Sequence, residues 1–286
     1  MIHELFEIHS RKGERLHADL RYSHLTEAKE PILVFLHGFK GFKDWGPIPM
    51  MMERLAKEGF VTINFNFSHN GVGEDPFALT ELDRFAQTTF TRDLEEVHDV
   101  LGAITSSDIP IDPARFDRNR IGIIGHSRGA ATAILAASQL ASLTPVVALA
   151  PVATFERWTG RQAEIWKTQG YVEITNQRTG QVMRLNRGLL EDYEAHRGEL
   201  DILKAAQKLA EQHKPLLVIV GSEDLTAPIA ESEAIANAAK SDTTELAIVP
   251  RTGHTFGTEH PFAGMTPAFE KVIELTKEFF TRHLKQ

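Results

Sequence analysis

A chain of 286 residues can form one large domain with a well-buried core, or two small ones. A formal charge of −8 argues against the basic face of a nucleic-acid binder, and 42% hydrophobic with 24% charged residues is ordinary for a globular protein. With no cysteine, disulfides, Cys-ligated zinc and a thiol nucleophile are excluded.

The opening residues Met1 to Glu7 have neither the basic nor the apolar region of a signal peptide. No apolar run approaches the roughly twenty residues that span a bilayer. The expectation is therefore a cytoplasmic protein without membrane contact. Leu5-Phe6-Glu7-Ile8 and Leu16 to Tyr22 alternate about Arg11-Lys12-Gly13-Glu14, as an antiparallel hairpin does. Ile32 to Leu36 is a continuous apolar run of buried-strand type, ending at His37-Gly38.

After a Gly- and Pro-rich loop, Met50 to Glu58 reads as a short helix closed by Gly59, and Phe60 to Phe67 as a second core strand. Phe90 to Ile104 carries an apolar stripe at helical spacing through Leu94, Val97, Val100, Leu101 and Ile104. A strand over Arg120 to Gly125 leads into an Ala-rich helix from Gly129 to Leu143, followed by a strand from Pro145 to Ala150. Later come a strand from Pro215 to Val220, a helix from Ala230 to Lys240, a strand from Glu245 to Val249 and a closing helix from Thr266 to Leu284. Alternating strands and helices imply a mostly parallel sheet covered on both faces, with the hairpin at one edge.

Between Phe155 and Gln212 this rhythm breaks. That stretch holds Trp158, Trp166, a hairpin of Tyr171 to Ile174 with Val182 to Leu185, and a helical region from Leu189 onward. Residues 1–154 and 213–286 thus read as the core domain and 155–212 as a cap over the carboxyl ends of the strands, where open α/β folds bind ligands.

Gly125-His126-Ser127-Arg128-Gly129 follows a strand directly and opens a helix, which puts Ser127 in a sharp turn whose glycines let strand and helix pass closely. A serine hydroxyl needs a base. His254, between the final strand and last helix, is placed for that role ahead of His260 nearby. The imidazole in turn needs a carboxylate, and Asp224 after the penultimate strand is preferred over Glu223. The order Ser127, Asp224, His254 is that of the nucleophile-elbow hydrolases. Oxyanion donors are expected at the backbone N–H of Arg128 and of Phe39. His37, Trp158 and Trp166 are the candidate substrate contacts. The scattered His3, His9, His17 and His24 form no evident cluster, and no metal site is expected.

On His37-Gly38-Phe39, the Gly125–Gly129 elbow, Asp224 before Pro228 and His254 before the last helix, the chain resembles an α/β-hydrolase over nearly its full length. His37-Gly38-Phe39-Lys40-Gly41, the segment Phe65 to Gly71 and the hairpin-bearing insertion are similar to the dienelactone-hydrolase-like and feruloyl (cinnamoyl) esterase branch. Many relatives carry Asp-x-Arg-Gly-His-Gly where this chain has Asn66 to Gly71, which leaves the substrate open. The resemblance implies a carboxylesterase acting on a small or medium acyl or aryl ester through an acyl-enzyme, with no cofactor. Two alternatives stand beside it. One is an amidase or aminopeptidase with Glu164, Glu191 or Asp192 anchoring an amine. The other is a non-catalytic binding module. Oligomeric state is not legible.

Overall fold

The computed structural model describes residues 1–23, 29–142 and 144–285, so His24 and Leu143 lie outside the described residues. The first two alternating segments form the expected hairpin, β1 (Ile2–His9) and β2 (Arg15–Tyr22), paired antiparallel from Ile2 opposite Tyr22 to His9 opposite Arg15. β3 (Glu30–Leu36) is buried along its whole length, and α1 (Ile48–Lys57) begins with Pro49 in its first turn, where a missing N–H costs nothing. β4 (Val61–Phe65) is shorter than the apolar run that contains it. The Phe67 N–H leaves the ladder to bond the His37 ring at 3.2 Å.

A short α2 (Leu82–Phe85) precedes α3 (Phe90–Ser106), which Thr89 caps by accepting the Arg92 N–H at 3.3 Å. β5 (Phe116–His126), α4 (Arg128–Gln139) and β6 (Val146–Leu149) follow. α4 stops short of Leu143, since Leu140 turns to extended backbone. Next come α5 (Gly160–Gln169), the hairpin β7 (Tyr171–Thr175) and β8 (Val182–Asn186), α6 (Arg187–His196) and α7 (Ile202–Glu211). The hairpin matches expectation. The helical stretch from Leu189 proves to be two helices, the first starting earlier. No sequence pattern announces α5, because Trp166 is its one fully buried residue. A reciprocal capping box between Thr159 and Gln162 holds its start instead. The chain closes with β9 (Leu216–Gly221), α8 (Ile229–Ala238), β10 (Thr244–Val249) and α9 (Pro267–Leu284).

The main sheet has the order β1-β2-β4-β3-β5-β6-β9-β10, with β1 at one edge and β7-β8 forming a separate two-stranded sheet. β2 runs antiparallel to both neighbours, and every other pairing in the main sheet is parallel. Alternate residues of each strand serve opposite cores, as the pleat dictates. Ile32, Val34 and Leu36 pack with α3, α4, α7 and α8, while Leu33 and Phe35 pack with α1 and α9. Helices on both faces of a mostly parallel sheet are the architecture the alternating pattern implied. The parallel strands all deliver their carboxyl ends to one rim. Among the described residues no helix is long and apolar enough to cross a membrane.

Candidate active site

Ser127 occupies the turn between β5 and α4 at φ 56°, ψ −119°, a conformation L residues rarely hold. Close packing imposes it. A Cβ on Gly125 would fall 2.3 Å from the Gly129 carbonyl oxygen, and one on Gly129 would fall 2.4 Å from the carbonyl oxygens of Leu36 and His37. The Ser127 N–H donates to Leu149 C=O at 2.8 Å, which ties the turn to β6. Arg128 is the first residue of α4, so its N–H has no intrahelical acceptor and lies at the positive end of the helix dipole.

Asp224 is buried in the loop after β9. Its Oδ1 accepts the N–H groups of Thr226 at 2.8 Å and Ala227 at 2.9 Å, and its Oδ2 accepts His254 Nδ1–H at 2.8 Å. Burial raises its pKa, but these donors prevail and hold the carboxyl below its ordinary range. With Nδ1 committed to Asp224, Nε2 is the nitrogen left to His254 for taking a proton. Ser127 and His254 line one cavity of about 360 Å³, and no hydrogen bond of 3.5 Å or less joins them. Glu223 is exposed.

His126, immediately before Ser127, packs against His254. Its ring lies 4.9 Å from that of His254, and its Nε2–H donates to the His254 carbonyl at 2.9 Å. Burial, and then the neighbouring His254, press its pKa down to about 4, so it is neutral near pH 7.

The loop after β3 faces Ser127 from the opposite side. The Gly41 N–H donates to Gly38 C=O at 2.9 Å, and Lys40 sits at φ 59°, which makes a tight turn with Phe39 on the cavity lining. His37 holds this loop from below. Its Nε2 accepts the Phe67 N–H, so the proton is on Nδ1, which donates to Gly38 C=O at 3.0 Å. Burial drives its pKa to about 4. Both ring nitrogens are thus engaged with backbone, and His37 acts as a strut under the loop although it borders the cavity. Beneath lies a buried charge cluster. Lys43 Nζ bonds Asp19 Oδ1 at 2.7 Å, Arg21 bonds Asp19 Oδ2 at 2.8 Å and Asn64 Oδ1 at 2.7 Å, and the Lys43 N–H donates to Asn66 at 2.7 Å. The Arg128 side chain pairs with Asp93 at 2.7 Å and packs over the Phe90 and Phe39 rings.

The remaining candidates fall elsewhere. The His260 ring is spent on structure: its Nδ1 accepts the Gly46 N–H at 3.0 Å and its Nε2 donates to Phe77 C=O at 3.1 Å. Trp158 and Trp166 do not border the cavity. Trp166 donates Nε1–H to Leu185 C=O at 2.8 Å, and Trp158 packs edge-on against both Trp166 and Tyr193 as the insertion's own core. Asp192 caps α3 by accepting the N–H groups of Phe90 and Thr91, Glu191 pairs with Arg187 at 2.8 Å, and Glu164 is exposed on α5. None of these three acids borders the cavity. Its lining instead includes Phe42, Trp45, Phe256 and the hairpin tip Asn176 to Arg178, none of which a sequence motif marks. Among the described residues no group of three or more His, Asp or Glu is arranged to hold a metal ion.

Residues 33–266 match the Alpha/beta hydrolase family, and the chain belongs to it. An Escherichia coli relative, an uncharacterized 31.7 kDa protein of the traX-finO intergenic region, is 23% identical, with 90% of this chain and 92% of that protein covered. Among solved structures, Est1E from Butyrivibrio proteoclasticus superimposes with a TM-score of 0.70 at 19% identity, covering 99% of both chains. Dienelactone hydrolase from Anabaena variabilis superimposes with a TM-score of 0.63 at 17% identity, covering 98% of this chain and 97% of that one. The branch suggested by the motifs is thus also the one represented among structural neighbours.

Proposed function

We propose that the protein is a serine carboxylesterase in which Ser127 is the nucleophile, His254 the general base and Asp224 the group that orients it. The observation that carries this reading is the Asp224–His254 bond of 2.8 Å, set at the wall of the same cavity as a serine in a strained strand-to-helix turn. Ser127 Oγ would attack the ester carbonyl carbon while its proton passes to His254 Nε2. The N–H groups of Phe39 and Arg128 would bind the carbonyl oxygen as it gains charge. His254 then returns the proton to the departing alcohol, and water repeats the sequence on the acyl-enzyme to release the acid. No cofactor enters this scheme.

A cavity of about 360 Å³ with mainly aromatic and aliphatic walls suits a small or medium acyl or aryl group. That Est1E also appears in a complex with ferulic acid supports keeping aryl esters in the test. Residues 155–212 are proposed as the cap, with the β7–β8 tip reaching the cavity and α7 returning the chain to the body beside α4.

The decisive experiment is steady-state turnover of p-nitrophenyl acetate to decanoate, methyl ferulate and several aminoacyl p-nitroanilides, with Ser127→Ala in parallel. Ester turnover abolished by the substitution, with anilides untouched, is the expected result. Turnover that survives Ser127→Ala removes the assignment. Anilide turnover equal to ester turnover makes the protein an amidase. No serine-dependent turnover on any of them favours a binding module.

A further inference from the structure

The cavity beside Ser127 is bordered by two cations that acyl transfer does not use. Lys40 follows Phe39 in the loop after β3, and Arg178 stands at the tip of the β7–β8 hairpin. Among the described residues, no carboxylate lies within 4.0 Å of either head group. Burial alone acts on each cation, drawing both below their ordinary range with no acid opposing it. Arg178 lies at the rim, where its Nη1 donates to His260 C=O at 3.3 Å, leaving most of its five N–H groups for another partner.

Among the described residues the buried cations are bonded within the protein, Arg21, Lys43 and Arg128 to carboxylates and Lys214 to backbone carbonyls. Arg128 has Asp93 at 2.7 Å, Lys43 has Asp19 at 2.7 Å, and Lys214 has the Ala137 carbonyl at 2.7 Å. Lys40 is half-buried and Arg178 exposed, so both head groups remain open at the cavity mouth to an arriving anion. The acid on this lining, Glu259, is exposed, which leaves two cations against one carboxylate.

We propose that Lys40 and Arg178 form an anion subsite that selects esters bearing a carboxylate remote from the scissile carbonyl, such as half-esters of dicarboxylic acids. The proposal rests on the esterase reading of Ser127. Phe42 and Trp45 supply apolar wall for the methylene chain, and the planar guanidinium offers the paired donors that a carboxylate takes best.

The test compares kcat/KM for mono-p-nitrophenyl adipate with that for p-nitrophenyl hexanoate, which differ only in the terminal group. Both are measured on each of wild type, Arg178→Gln and Lys40→Gln. Taking the ratio within one preparation cancels any damage to folding or to the attacking serine. Wild type is expected to favour the adipate ester by about tenfold or more, and Arg178→Gln to lower that ratio by about tenfold, as for a lost charge-assisted hydrogen bond. A wild-type ratio of one or less, or one unmoved by both substitutions, overturns the subsite. So does a preference for p-nitrophenyl 6-aminohexanoate, which would give the charge recognition to Glu259.

If no ester is turned over, the esterase reading fails separately, and calorimetric titration of Ser127→Ala with adipate decides. Saturable binding that is weakened by adding Arg178→Gln upholds the subsite. Absence of binding overturns it.

Discussion

Replacing His126 by leucine removes the donor that reaches the His254 carbonyl across 2.9 Å, while keeping a side chain of similar bulk in a half-buried position. A covered carbonyl deprived of its donor costs about 1–3 kcal/mol. Here that carbonyl belongs to the residue proposed as base, so the backbone shift that relieves the loss moves the imidazole itself. A displacement of about 1 Å between reacting groups costs about 10²-fold in rate.

His126→Leu should therefore lower kcat by about 10- to 100-fold, with KM changed by no more than about twofold, because the residue is argued to orient the base rather than to bind substrate. His126→Gln, whose amide can place a donor near the position of Nε2, should recover most of the loss. The assay is p-nitrophenyl butyrate hydrolysis across pH 5–9 for all three proteins, with urea denaturation to confirm that each is folded. A leucine variant with full kcat, or a glutamine variant as impaired as leucine, would refute the reasoning.

Asp224→Asn should keep the fold, since the amide oxygen can still accept from Thr226 and Ala227, yet lower kcat by about 10³- to 10⁴-fold because the His254 tautomer is no longer enforced; circular dichroism beside steady-state rates checks both halves. Asp19→Ala leaves the buried Arg21 without a carboxylate, while Lys43 keeps Asp44, and should destabilise by about 3 kcal/mol, read from the urea midpoint. His37 and His126 have folded pKa values of about 4, below the unfolded value of 6.5, so the unfolded chain binds protons first as pH falls. Stability should be full above about pH 6.5 and decline toward pH 4, by up to about 3 kcal/mol for each ring. His126→Gln should show a shallower decline over that window, and an unaltered profile would contradict the burial argument.

Much of this was legible in the sequence because the relevant signals are local. β3, the second half of β5, β9 and β10 are rich in aliphatic residues, and each ends in the turn that carries a candidate group, so chain order alone placed Ser127, Asp224 and His254 at one rim. Other features depend on contacts far apart in the chain. Preference for His254 over His260 rested on loop position, and the difference in hydrogen bonding became visible only when Gly46 and Phe77 were found on the His260 ring. Trp158 and Trp166 drew attention as large aromatics in an insertion, but their partner is Tyr193, about thirty positions further on, and together they make a core. Trp45 and Arg178 carry no motif, since their importance comes from two separate segments meeting at one cavity. α5 escaped notice because hydrogen bonds at its start define it better than any apolar face does.

The His260 ring also has a bearing on how this enzyme class diversifies. Through one imidazole and its own carbonyl, it fastens the segment at Gly46, the segment at Phe77 and the hairpin tip at Arg178. The aperture is therefore a knot of three strands of chain tied at a point separate from Ser127, His254 and Asp224. Exchanging the five residues from Asn176 to Gly180 would retie that knot while Ser127, His254 and Asp224 stay where they are. On the proposed esterase reading, breadth of substrate choice and fidelity of chemistry would fall to different parts of the same wall, so one could drift under selection without eroding the other.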